Sequence, residues 1–138
     1  VPLEDDGAHL DEIDQALELL LRAGVFGTFL GHGYFAILGK ESWLPLIMQF
    51  GIDHESAKMI LPLIGWMDIT VAIAALLFPV RAILIWAAIW AFAAALSRPI
   101  AGEPIAEFIE RAANWAVPLG LLFLQGLPSR WTDLLKVR

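Results

Sequence analysis

The sequence predicts an all-α integral membrane protein, a four-helix bundle with short interfacial helical segments. Three observations carry that prediction. Of 138 residues, 59% are hydrophobic and only 17% charged, whereas a soluble domain is nearer half apolar and a quarter charged. The apolar residues are gathered into long runs separated by short polar or proline-containing stretches. A crossing takes roughly 20 residues at about 1.5 Å rise each, so the chain holds four spans and no separate soluble domain. Its prolines and glycines fit, because membrane helices tolerate both.

Residues 1–14 form an acidic tail with Glu4, Asp5, Asp6, Asp11, Glu12 and Asp14, expected to be mostly solvated. Its acidity does not match the basic start of a signal peptide. From Leu10 a helical period appears through Ile13, Leu17, Leu20 and Leu21. The first helix is expected to begin near residue 11 and to span 19–38, with Arg22 snorkelling to the interface. The chain is organised around its later part, GVFGTFLGHGYFAIL, where Gly24, Gly27, Gly31 and Gly33 surround the single histidine His32. Small residues at that spacing let helices approach closely in lipid.

Residues 43–51, WLPLIMQFG, are apolar but too short to cross, and Trp43 and Pro45 place them in the headgroup region. Asp53 reads as an N-cap. The second helix follows over 54–78, its membrane part 60–78, with a bend expected at Pro62. The tight Pro79-Val80-Arg81 connection predicts that the second and third helices are antiparallel neighbours. The third span, 82–97, is alanine-rich with Trp86 and Trp90 one turn apart, and Arg98-Pro99 closes it. Pro104 suits the first turn of the fourth helix, which covers 105–124 and contains Pro118. The tail 125–138 returns to the interface through Trp131, Lys136 and Arg138.

Four spans put both termini on one side. Arg22, Arg81, Arg130, Lys136 and Arg138 then face Lys40, Lys58, Arg98 and Arg111 across the membrane, a small excess of positive charge on the terminal side. By the positive-inside rule that side is cytoplasmic.

Several chemistries are excluded. The chain has no cysteine, so disulfides, iron–sulfur clusters and zinc–thiolate sites are out. The net charge of −6, drawn largely from the acidic tail, is no footprint for nucleic acid. No nucleophile–base pair or phosphate loop is present, and Gly31-His32-Gly33 sits inside a helix. An enzyme is not the expectation.

The informative residues are polar ones inside the spans. His32, Asp68 and the start of the fourth helix, with Glu107, Glu110, Arg111 and Asn114, fall at similar depths on the non-terminal side, beside Arg98. Glu107, Arg111, Asn114 and Pro118 share one helical face, and Glu107 precedes Arg111 by four, the better order for an ion pair. A charge at mid-membrane costs about 2.5–3.5 kcal/mol, so Asp68 is expected to face inward. It would pair with Arg111 or Arg98, bond His32, or carry a proton. The opposite half holds little beyond Arg22 and Gln125.

Two readings of this layer stay open. One is a structural clamp in which His32, Asp68, Arg111 and Asn114 satisfy one another and set helix register. The other is a ligand site opening to the non-terminal side, for a quinone headgroup or another small polar molecule. Proton transfer through Asp68 and His32 has the residue types without a compelling spacing. A metal site is not expected, since only one histidine is buried and no HxxxH or ExxH pair exists. His32 as an axial ligand to haem or a chlorin pigment is a further alternative. Trp66, Trp86 and Trp90 read as bulky packing against small-residue faces, or as a wall for a flat ring.

LLRAGVFGTFLGHGYFAILGK in the first helix and LIGWMDITVAIAALLFPVRA in the second resemble the DoxX-like family of small four-span bacterial membrane proteins. The likeness covers roughly residues 19–124, with Asp68 where glutamate is more usual. ERAANWAVPL of the fourth helix lies outside the family pattern. The resemblance implies an inner-membrane four-helix bundle associated with quinone-linked oxidation systems. Function is therefore expected to be that of an accessory subunit contacting the bilayer and other membrane protein subunits. The alternatives are a quinone- or small-molecule-binding redox partner and a pigment-associated subunit.

Overall fold

Apolar runs with a 3.6-residue period have one way to satisfy their backbone and bury a face, and the chain takes it throughout. The computed structural model describes residues 4–138; among them 80% are helical and none lies in a strand. The order is α1 (Glu4–Ile37), α2 (Leu44–Met48), α3 (His54–Leu77), α4 (Arg81–Ile100), α5 (Ala106–Ile109) and α6 (Ala112–Gln125). Single 3₁₀ turns occupy Glu41–Trp43 and Trp131–Leu135. Two helices, α3 with 24 residues and α4 with 20, are long and apolar enough to cross a membrane. α6 has only 14 residues, and the first half of α1 is acidic.

α1 differs from expectation at its start. It is already helical at Glu4, not near residue 11, because acidic residues suit the positive end of a helix dipole. Residues 7–17 are exposed along that extension. Residues 1–3 of the expected tail lie outside the described residues.

α1 and α3 make the most extensive contact, and glycine explains it. A Cβ on Gly33 would lie 2.8 Å from the Gly65 carbonyl oxygen, and one on Gly65 2.7 Å from the Ile37 nitrogen. The two backbones touch where neither residue has a side chain. α4 packs mainly on α6 through Leu84, Leu121 and Leu122. A second cluster, with Val25, Phe29, Val71, Ala72, Ala75, Ala87 and Ala91, joins α1, α3 and α4. α3 and α4, despite the three-residue link, touch only lightly. The expected neighbours are held apart over much of their length, and the space between them matters below.

The expected fourth helix is broken. Arg111 leaves helical geometry with φ −95° and ψ 11°, separating α5 from α6. Its Nη1 donates to the Glu107 carbonyl at 2.6 Å, the oxygen that a continuous helix would offer to the Arg111 amide. The amide bonds Phe108 instead, at 3.2 Å. α4 in turn runs through Arg98 and Pro99 to Ile100, past the expected stop.

The end of the bundle bearing the tail is richer in charge than the sequence pattern indicated. Arg22 donates through Nε to the Leu76 carbonyl at 3.0 Å, closing the last turn of α3. Arg81 is buried and donates through Nη2 to the Gln125 carbonyl at 2.9 Å and through Nε to that of Gly126. Each guanidinium thus sits at the negative end of a helix dipole. Gly126 ends α6 at φ 95°, backbone that a side chain would strain. Glu18, also buried, pairs with Arg138 and lies 3.9 Å from Arg22.

Candidate functional site

At the opposite end, α4 stands off from the touching α1–α3 pair around a cavity of about 430 Å³. Phe29, His32 and Ala36 line it from α1; Leu61, Ile64 and Asp68 from α3; Trp90, Ala91, Ala94 and Ala95 from α4. The reason is local. Asp68 belongs to a stripe, Leu61, Gly65, Asp68, Ala72 and Ala75, that is buried at three- and four-residue spacing. α4 presents alanines to the same space, and alanine cannot fill it.

Asp68 is 5% exposed. Its Oδ1 accepts from the Trp90 Nε1 at 3.1 Å, a bridge across the gap between α3 and α4. Trp86 stacks on Trp90 with ring centroids 5.6 Å apart and planes 13° from parallel, which holds the indole in place. Trp66, by contrast, points outward and is exposed.

The mouth lies roughly 12 Å further along α4, from Trp90 to Arg98, at about 1.5 Å per residue. There Arg98, Arg111 and Asn114 line the cavity together with His32. Arg98 pairs with Glu103 at 3.2 Å and lies 4.0 Å from Glu107. Arg111 pairs with Glu107 at 2.8 Å and Glu110 at 2.9 Å. Glu107 lies outside the cavity wall and holds both guanidiniums on it.

The segment from Glu41 to Ile52 closes over this end. Leu44 is buried, and Trp43, Leu46, Ile47, Phe50 and Ile52 line the cavity. Gln49 ties the segment to α4 by donating from Nε2 to the Ser97 carbonyl at 3.0 Å. Trp43 meets His32 edge to face at 5.8 Å, with the Lys40 ammonium 4.9 Å above its ring. The stretch expected to lie in the headgroup region thus also covers the cavity.

The six polar residues singled out from sequence are thus at one end of the bundle, five on the cavity wall and Glu107 behind it. Glu107 pairs with Arg111 and Arg98, but among the described residues His32, Asp68, Arg111 and Asn114 do not bond one another as a clamp. Among the described residues Asp68 has no arginine or histidine partner, and neither His32 nitrogen has a hydrogen bond. What the sequence reading missed is the aromatic contribution. Trp90 is the partner of Asp68 and Trp43 that of His32; the one legible signal was Trp90 among alanines. Among the described residues no group of three potential metal ligands converges.

No protein-family model matches this chain, and no curated protein or solved structure matches it; none of these comparisons identifies a DoxX-like kinship.

Proposed function

We propose that this chain is a four-span membrane protein that binds a small, flat, largely apolar molecule within the bilayer. The crossing elements are α1, α3, α4 and the α5–α6 pair, and both termini lie on one side, the cytoplasmic one. Support for four spans comes from the outward surface. Leu30, Leu63, Trp66, Ile73, Ile89, Phe92 and Phe123, drawn from all four elements, are exposed, a distribution that lipid tolerates and water does not.

The observation that carries the ligand reading is the cavity itself. Its volume falls in the range of small-molecule sites, and it has the usual pattern of apolar walls with a few convergent polar groups. A carboxylate with one hydrogen bond stands at the deep end, ready to accept another. An imidazole, two guanidiniums and an amide stand at the mouth. A molecule with hydrogen-bonding oxygens at both ends of a flat ring fits that polarity, the chemistry of a quinone or quinol headgroup. A purely scaffolding subunit gives no reason for an imidazole and an amide that, among the described residues, have no hydrogen bond beside an apolar chamber.

Trp43 and Trp90 on the wall provide the readout. Titrating the purified protein in detergent with a short-chain quinone should quench tryptophan fluorescence saturably. Asp68→Asn should weaken binding, and Ala94→Trp, which fills the chamber, should abolish it. Equal affinity in the wild type and in Ala94→Trp would remove the cavity as the site. A visible absorption band in protein from native membranes would move the reading to a pigment on His32.

A further inference from the structure

The side of α1 turned away from α3 carries an apolar seam that the bundle leaves open except midway, where Leu21 and Gly24 pack on α6. Leu10, Ile13, Leu17 and Leu20 repeat at three- and four-residue steps, and all are exposed. Gly27 and Gly31 continue the register, and nothing lies within 4 Å of where a Cβ on either would sit. Since α1 is unbroken over Glu4–Ile37, these residues form one line along one helix. We propose that this line is the contact between two copies of the chain, paired parallel and in register along α1. The inference rests on the reading that α1 enters the bilayer.

The first argument is solvent. Among residues 10–20 the helix also carries Asp11, Glu12 and Asp14, all exposed, which keep that stretch in water. An apolar stripe there lacks the lipid that would cover it deeper in. The three-four spacing is what a two-stranded coiled coil requires. Within the bilayer the same line becomes Gly27-x-x-x-Gly31, where small residues permit close helix approach.

The second argument is charge. With Leu10 and Leu17 at a and Ile13 and Leu20 at d, the flanking g and e positions hold His9 and Asp14. In a parallel pair each g residue meets the e residue five positions on in the other helix. His9 of one copy therefore faces Asp14 of the other, a complementary contact. The following pairs, Ala16 with Leu21 and Ala23 with Thr28, are uncharged. Asp11, Glu12 and Glu18 fall at b and c positions, off the seam. A helix this acidic has almost no like charge to oppose its own copy, and chains inserted by one route share the orientation that pairing needs. The cavity opens on the other side of α1, so pairing leaves it free.

Absence of native cysteine makes the test clean. Single-cysteine variants Ile13→Cys and Leu17→Cys, oxidised in native membranes, should form a disulfide-linked species with the mass of two chains. Glu12→Cys and Gln15→Cys, on the far side of the helix, should not. Gly27→Leu should lower the Leu17→Cys yield several-fold without changing thermal unfolding. His9→Asp should lower it too, and adding Asp14→His should restore it. Equal yields at seam and control positions, no linked species at the seam, or an adduct of another mass would overturn the proposal. Release of the protein by alkaline wash would defeat the bilayer reading, whereas membrane retention without seam cross-linking defeats the pairing alone.

Discussion

Trp90 and Asp68, on helices that otherwise barely touch, are joined by an indole–carboxylate hydrogen bond of 3.1 Å. The bond does two things. It gives a buried carboxyl group its hydrogen-bond partner, and it bridges the chamber that α3 and α4 share. Trp90→Phe keeps the ring and removes the donor. It should cost about 1–3 kcal/mol, the range for leaving a buried polar group without its hydrogen bond. Thermal unfolding in detergent measures the loss, and Asp68→Asn in the same background should add little, because the two residues act as one unit.

Glycines in this chain should divide sharply by location. Gly65→Ala drives a Cβ to 2.7 Å from the backbone of α1, and overpacking of that kind costs about 1–3 kcal/mol. Gly120→Ala meets nothing within 4 Å, and an alanine inside a helix is favoured over glycine by about 0.5–1 kcal/mol. Denaturation of the two variants should therefore move in opposite directions.

Arg81 anchors the end of α6. Arg81→Met leaves the Gln125 and Gly126 carbonyls without their donor, a loss of about 1.5–3 kcal/mol for bonds to a charged group. Arg81→Lys should recover only part of it, because a lysine has no planar fork. Limited proteolysis after Gly126 should be faster in both variants, most in Arg81→Met.

Acid should loosen the tail. Asp133 accepts from the Ser129 and Arg130 amides and from the Lys136 ammonium, which hold its pKa at about 2 against an ordinary 3.8. A pKa depressed in the folded state stabilises above the unfolded value and is lost as pH falls through the folded one. The turn at Trp131–Leu135 should thus stay formed above about pH 4 and open between about pH 4 and pH 2. Amide exchange at Ser129 and Arg130 reports it, and Asp133→Asn should reproduce the opening at neutral pH.

Topology separates four spans from two. With four, Glu103→Cys and Ser129→Cys react with an impermeant thiol reagent from opposite sides of sealed membranes. With only α3 and α4 crossing, both react from the same side. Labelling from one side alone would remove the four-span proposal.

Much of this protein was legible in one dimension. Long apolar runs dictated helices, because the backbone must satisfy itself where side chains are apolar. Asp53 announced the start of α3, and its carboxylate does accept the Ser56 amide at 2.9 Å. The four-residue step from Glu107 to Arg111 announced an ion pair, found at 2.8 Å. Depth along each helix placed His32, Asp68, Arg98 and Arg111 at one end, since rise per residue is a property of the helix alone.

Partners were not legible, for a reason that applies throughout. Which residue meets Asp68 depends on the rotation and separation of α3 and α4, and those are set elsewhere, by backbone contact at Gly33 and Gly65 and by leucines packed between α4 and α6. The same holds for Arg81, read as part of a turn and found buried against carbonyls forty-odd positions away. The sequence alone determined the helices, their polarity and the level of each buried charge, because these follow from local periodicity. Only the tertiary structure decided that an indole takes Asp68 and that alanines leave a chamber beside it, because side-chain pairing is settled by how helices rotate against one another.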